Sequence, residues 1–208
     1  MRIVVLGATG GTGMELIKQS LAMGHSVTAF VRSPVSLRVF DKEIDIKIGD
    51  LLNREALARV LEGQDAVLSG FGPRVPIAKS DAHLLRDFAN GLTAAMQQAA
   101  VRRVVLISTA FLFKDSFIPP TYLLGKMLFP SVVSDSAELE SIIQRSDLDW
   151  TIVRPPQLTD RPLTGEYRKR IGHLPRFGFK ISRADVADYF VKALSSKSVV
   201  RTIVGISN

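Results

Sequence analysis

The chain contains no cysteine and only three histidines, His25, His83 and His173, in 208 residues. The first absence excludes disulfides, thiolate nucleophiles, cysteine-type zinc sites and iron–sulfur clusters together. Three dispersed imidazoles give no basis for a His-rich centre, so no metal is expected. Long apolar runs are missing too. The longest uncharged one near the middle, Val104 to Phe113, is about half of the roughly 20 residues that a membrane-spanning helix needs, so no membrane is expected as a partner. The start, MRIVVLGATGG, carries too short an apolar run for a secretory signal and passes directly into a glycine motif. It reads as folded structure, with the cytoplasm as the expected location. Finger and basic-helix motifs are absent, so nucleic acid is not an expected partner. No repeat, linker or low-complexity tract interrupts the chain, and one domain over residues 1–208 is expected.

What is present is a 46% hydrophobic chain in which short apolar runs alternate with helical patterns. This is the signature of successive βαβ units. Ile3 to Leu6, Val27 to Val31, Ile44 to Ile48, Ala66 to Leu68, Val104 to Ile107 and Trp150 to Val153 are rich in β-branched residues and, Asp45 and Lys47 apart, uncharged, and they read as parallel strands buried on both faces. Between them Met14, Ile17 and Leu21 form one helical stripe, and Leu84, Leu85, Phe88, Leu92, Ala95, Met96 and Ala99 a longer one. Asp135 to Arg145 and Ala184 to Leu194 read as later helices, and Val199 to Ile206 as an extra strand. The fold class is α/β: a single Rossmann-type, doubly wound domain with a mainly parallel sheet. Residues 156–208 form a short carboxy-terminal region, a loop, a helix and a strand, that completes the substrate side.

The first strand runs into Gly7-Ala8-Thr9-Gly10-Gly11-Thr12-Gly13, and a helix begins near Thr12. A glycine at the strand end permits the tight turn, the middle one lets backbone approach a pyrophosphate, and the last permits close helix packing, while free N–H groups at the helix start hold the anion. Gly7, Thr9, Gly10, Gly11, Thr12 and Gly13 are therefore candidate dinucleotide ligands. The second strand selects the dinucleotide. Where NAD binders carry an acid on the ribose hydroxyl, this chain has Arg32 followed by Ser33. A guanidinium pairs with a 2′-phosphate and gains nothing comparable from a bare hydroxyl, so NADPH is the expected cofactor, with Arg38 as a further donor. After the third strand, Asp50 beside Leu51 reads either as an adenine contact or as a helix-start acid. Gly70, Phe71, Gly72 and Arg74 end the fourth strand and are expected under the nicotinamide half.

These residues resemble the atypical short-chain dehydrogenases with an NmrA-like NAD(P)H-binding domain, and more narrowly the biliverdin IXβ reductase or flavin reductase group. The resemblance covers nearly the whole chain. It also rests on Gly49-Asp50, Ser108 to Leu112, Pro155-Pro156, Pro162-Leu-Thr-Gly-Glu-Tyr167 and Ile181 to Ala187. It implies NADPH-dependent reduction of flavins or linear tetrapyrroles, with Pro155 near the cofactor and a hydroxyl residue after the fifth strand, Ser108 or Thr109, near the nicotinamide. Capping of the strand end is the alternative reading of both hydroxyls. The group tends to carry histidines where this chain has Gln157 and Ser136, and residues 119–136 form a longer segment than its counterpart.

Inside that segment Tyr122 and Lys126 form a Tyr-x-x-x-Lys pair, one turn apart on a helix. They read either as a catalytic acid with its helper or as part of an apolar lid bounded by prolines. From Asp160 to Arg183 seven basic residues face two acidic ones, +5 of the chain's +7. This stretch reads as a solvated loop or as a funnel for an anionic substrate. The expected function is hydride transfer from NADPH to a planar, anionic, conjugated acceptor by a monomer or weak homo-oligomer. The alternatives are a non-catalytic NADP(H)-sensing regulator and a sugar-nucleotide epimerase or dehydratase relative.

Overall fold

Valine and isoleucine crowd the short apolar runs because a side chain branched at Cβ packs well on an extended backbone. In the computed structural model, which describes residues 1–40, 42–72, 83–115 and 120–208, each run is a strand: Arg2–Leu6 (β1), Ser26–Val31 (β2), Asp45–Ile48 (β3), Ala66–Ser69 (β4), Arg103–Ile107 (β5) and Asp149–Arg154 (β6). Three more follow, Gln157–Thr159 (β7), Arg168–Ile171 (β8) and Lys180–Ser182 (β9), before Thr202–Ser207 (β10). The main sheet runs β3-β2-β1-β4-β5-β6-β10-β8. All its neighbours are parallel except β8, which pairs antiparallel with β10.

Alternation along β1 shows how the sheet is covered, since successive side chains point to opposite faces. Ile3 and Val5 meet Leu16 and Ile17 of the helix Gly11–Ala22 (α1) and Ala187 and Phe190 of a later one. Val4 and Leu6 join a second cluster with Leu57 of Arg54–Leu61 (α2) and with Phe88 and Leu92 of Leu84–Gln98 (α3). Thr121–Leu128 (α4) leads into Pro130–Arg145 (α5), which adds Leu139 and Ile143 to that second face. Arg183–Leu194 (α6) is the later helix, lying beside α1 on the first face. Each buried side chain of this kind contributes about 1.5–3 kcal/mol. Among the described residues no helix is long and apolar enough to cross a membrane.

Two expectations require correction. Ile44 to Ile48 is not buried on both faces: β3 is the edge strand, Ile44 lies outside it, and Ile48 is 68% exposed. The region after Pro155 holds more than a loop, a helix and a strand. β7 and β9 form a separate two-stranded parallel sheet, and β8 extends the main sheet.

Candidate dinucleotide and acceptor site

The glycine loop connects β1 to α1 at the carboxyl edge of the sheet. Gly7 has φ +72°, and a Cβ there would stand 2.7 Å from the Phe71 backbone nitrogen, so the loop after β4 closes against it. A Cβ on Gly13 would lie 2.1 Å from the Gly7 carbonyl oxygen, which fixes α1 tightly beneath the turn. Gly10 differs: its Cβ would meet only the Gly7 oxygen at 3.4 Å, an ordinary contact. Among the described residues the space over Gly10 is open, and no side chain caps the start of α1. An uncapped helix start with oriented N–H groups is suited to a phosphate, so the residues present fit a dinucleotide.

At the end of β2, Arg32 and Ser33 are exposed, and no described residue pairs with the Arg32 guanidinium. Arg38 lies in the short 3₁₀ segment Val35–Phe40. Of the two readings of Asp50, helix-start acid is corrected. Asn53 caps α2 by accepting from the Ala56 N–H at 3.0 Å, while Asp50 Oδ1 accepts from the Leu52 N–H in a local turn. Gly49 is accounted for by packing, since a Cβ there would lie 2.4 Å from the Phe30 ring.

On the other side of β1, Gly70 donates to the Leu6 carbonyl at 3.0 Å, and Phe71 packs its ring on Phe88 at 4.7 Å. Among the described residues nothing lies within 4 Å of a Cβ on Gly72. Arg74 lies outside the described residues.

The chain leaving β5 continues its pairing with β6 and the residue after it: Ser108 N–H donates to Val153 O at 2.8 Å and Ala110 N–H to Pro155 O at 3.1 Å. This fixes Ser108, Thr109 and Pro155 in one place. The two hydroxyls then part. Thr109 Oγ1 accepts from the Phe111 N–H at 3.2 Å and caps the 3₁₀ turn Ala110–Leu112 that follows the strand. Among the described residues Ser108 Oγ is buried without a hydrogen-bond partner, a costly state for a hydroxyl unless something else satisfies it.

α4 rests on that 3₁₀ turn, because Gly125 has no side chain to strike Phe111; a Cβ would lie 2.4 Å from the ring. The ammonium groups of Lys126 and Lys114 stand over the Tyr122 ring at 5.8 and 5.9 Å. Outward, α4 presents Leu123 and Met127 at 69 and 72% exposure.

Sequence reasoning missed a buried ion pair beside these elements. Arg154 donates through Nε and Nη2 to the two Glu140 oxygens at 2.9 and 2.6 Å and stacks over Phe113. It ties β6 to α5 just below the acceptor side. Nothing local in the sequence signals it, since 14 residues separate the partners. The Pro-Leu-Thr-Gly-Glu-Tyr segment also gains a physical account. Fully buried Asp185 accepts from Ser182 Oγ, from the Thr164 hydroxyl, from the N–H groups of Thr164 and Gly165, and from Asn208. Burial pushes its pKa up, but these hydrogen bonds outweigh burial and hold it below the usual carboxylate value. Tyr167 donates to Asp188 at 2.7 Å; burial, then that bond, raises its pKa, so it stays neutral.

The basic stretch is divided. Arg168 donates to the carbonyls of Arg176 and Asn208. Lys169 and Arg170 line a cavity of about 300 Å³ with Tyr189 and Lys192, against the carboxy-terminal half of α6. The end of α6 accepts from Arg103 at the start of β5, so this cavity extends toward the opposite edge of the sheet from the glycine loop. His83, Asp135 and Glu138 bring ligand-type atoms within 4.8 Å of one another, but both Asp135 oxygens already accept the N–H groups of Leu85 and Arg86 at the start of α3.

A family model described as NAD(P)H-binding matches residues 7–197. The uncharacterized Bacillus subtilis protein YwnB is 27% identical over 176 residues, covering 81% of this chain and 79% of its own. A wide-type short-chain dehydrogenase/reductase from Veillonella parvula, solved with NADP, superposes with a TM-score of 0.82 at 18% identity over 100% of this chain and 94% of that one. ChuY, an anaerobillin reductase from Escherichia coli, does so with 0.80 at 19% identity, over 100% and 97%. At such identities the two structures share the fold with this chain.

Proposed function

Because the chain belongs to the NAD(P)H-binding family, we propose that it is an NADPH-dependent reductase that passes hydride to a planar, anionic, conjugated acceptor, a flavin or a linear tetrapyrrole. The observation that carries this reading is the separation of the two hydroxyls after β5: Thr109 is used by the turn, while Ser108 Oγ is buried and has no partner among the described residues. The bound nicotinamide supplies the hydride. The glycine loop holds its pyrophosphate, Arg32 selects the 2′-phosphate, and Ser108 relays the balancing proton from water to the acceptor, which takes up two electrons in all. Positioning of donor and acceptor supplies most of the acceleration. A planar acceptor is supported by the exposed rings of Phe177 and Phe179, at 62 and 54%; the Phe179 carbonyl accepts from the Gln157 N–H just past β6. α4, with Tyr122, covers the acceptor as an apolar lid. ChuY, named as an anaerobillin reductase, favours a tetrapyrrole among the candidates.

The test is NADPH oxidation with FMN, FAD, riboflavin, biliverdins and quinones in turn. Turnover with a flavin or a tetrapyrrole is expected. Tight NADPH binding with no turnover on any of them would replace the reductase reading with that of a redox sensor.

A further inference from the structure

Gly11, the first residue of α1, is exposed, yet a Cβ there would lie 2.7 Å from Arg183 Cδ and 2.9 Å from its Nε. The side chain of Arg183, the first residue of α6, therefore lies flat across the start of α1. Its Nη1 donates to Asp160 at 2.6 Å, with Arg183 29% and Asp160 87% exposed. This is the only described partner of a guanidinium that offers five N–H donors. A cation with donors to spare thus stands beside the uncapped N–H groups of the glycine loop, brought there by the part of the chain that follows β6.

We propose that Arg183 is a phosphate clasp, held by Asp160 in the free protein and closing over the pyrophosphate when the dinucleotide binds. The inference rests on the reading of the glycine loop as a dinucleotide site and adds a ligand from α6. The exchange is favourable, since an ion pair with so exposed a carboxylate contributes little, whereas a charge-assisted, bidentate phosphate contact is among the stronger hydrogen-bonded pairs. It also explains Gly11: the residue is small to make room for Arg183 rather than for the cofactor. Closing of the clasp would couple the segment carrying β7, β9 and α6 to the bound cofactor, so that the acceptor side forms fully only once NADPH is in place.

The experiment is calorimetric titration of the full chain with NADPH and with adenosine 2′-monophosphate, which carries the 2′-phosphate but no pyrophosphate. Arg183→Ala should raise the NADPH Kd by about tenfold or more and leave adenosine 2′-monophosphate unchanged. Arg32→Ala should weaken both. Arg183→Lys, which keeps the charge but not the fork, should fall between wild type and Arg183→Ala. Gly11→Ala, which pushes the guanidinium aside, should weaken NADPH in the wild-type background and cost clearly less when Arg183 is already alanine. Unchanged NADPH affinity in Arg183→Ala, equal losses for both ligands, or equal effects of Gly11→Ala in the two backgrounds would each overturn the clasp while leaving the dinucleotide site standing. A wild type that binds neither ligand would overturn the site and the clasp together.

Discussion

Gly10 and Gly13 stand three residues apart in one loop and answer to different demands. A side chain at Gly13 would strike the Gly7 carbonyl, whereas one at Gly10 would enter open space. Gly10→Val should therefore fold with near wild-type thermal stability and lose dinucleotide binding, because only the pyrophosphate is displaced. Gly13→Val should unfold at markedly lower temperature. A Gly10→Val protein that binds NADPH normally would contradict the cradle. Arg32 has no described partner, so its truncation should cost the fold nothing and NADPH binding about 2 kcal/mol, a Kd ratio of roughly 30, while NADH changes little. Equal losses for the two nucleotides would remove the 2′-phosphate assignment. The positions of these residues could be read from sequence because each glycine and the strand-end arginine sit at fixed offsets from one strand. The Arg183 contact with Gly11 could not, since it joins residues from opposite ends of the chain through the packing of α6 beside α1.

The short elements are those the sequence concealed. β7 and β9 have three residues each, too few for an alternation to register, and β8, Arg168–Ile171, is exposed along its whole length and so lacks an apolar signal. The interior strands β1, β2, β4, β5 and β6 were legible because burial on both faces demands continuous apolar runs, whereas the edge strand β3 is largely exposed and the structure revises its bounds. α4 is the element whose role most needs a test. Its Tyr122 ring lies beneath two ammonium groups, and the outward face is apolar, as a cover for a ring-shaped acceptor would be. Tyr122→Phe should keep kcat within a few-fold and raise the acceptor KM. A fall in kcat on the order of 100-fold with NADPH affinity intact would instead make Tyr122 the proton donor.

Across the whole molecule, the carboxy-terminal region is knit together internally by one buried carboxylate. Asp185 receives hydrogen bonds from Ser182, Thr164, Gly165 and Asn208, and its pKa in the folded protein lies below the ordinary value. The stabilisation it gives is thus fully present above the unfolded value of about 3.9 and fades as pH falls through the lower, folded one. Asp185→Asn should lower stability at neutral pH and flatten the loss of stability below about pH 4. A wild type and variant with parallel pH profiles would dissociate Asp185 from acid unfolding. The central claim, that the glycine loop and Ser108 serve one hydride transfer, is tested most directly by anaerobic mixing of the protein with NADPH and FMN or a biliverdin, following both chromophores. One acceptor should be reduced for each NADPH oxidised, with the rate falling about tenfold or more in Ser108→Ala and to the uncatalysed level in Gly10→Val. NADPH bound without oxidation, or a Ser108→Ala protein as fast as wild type, would contradict the account.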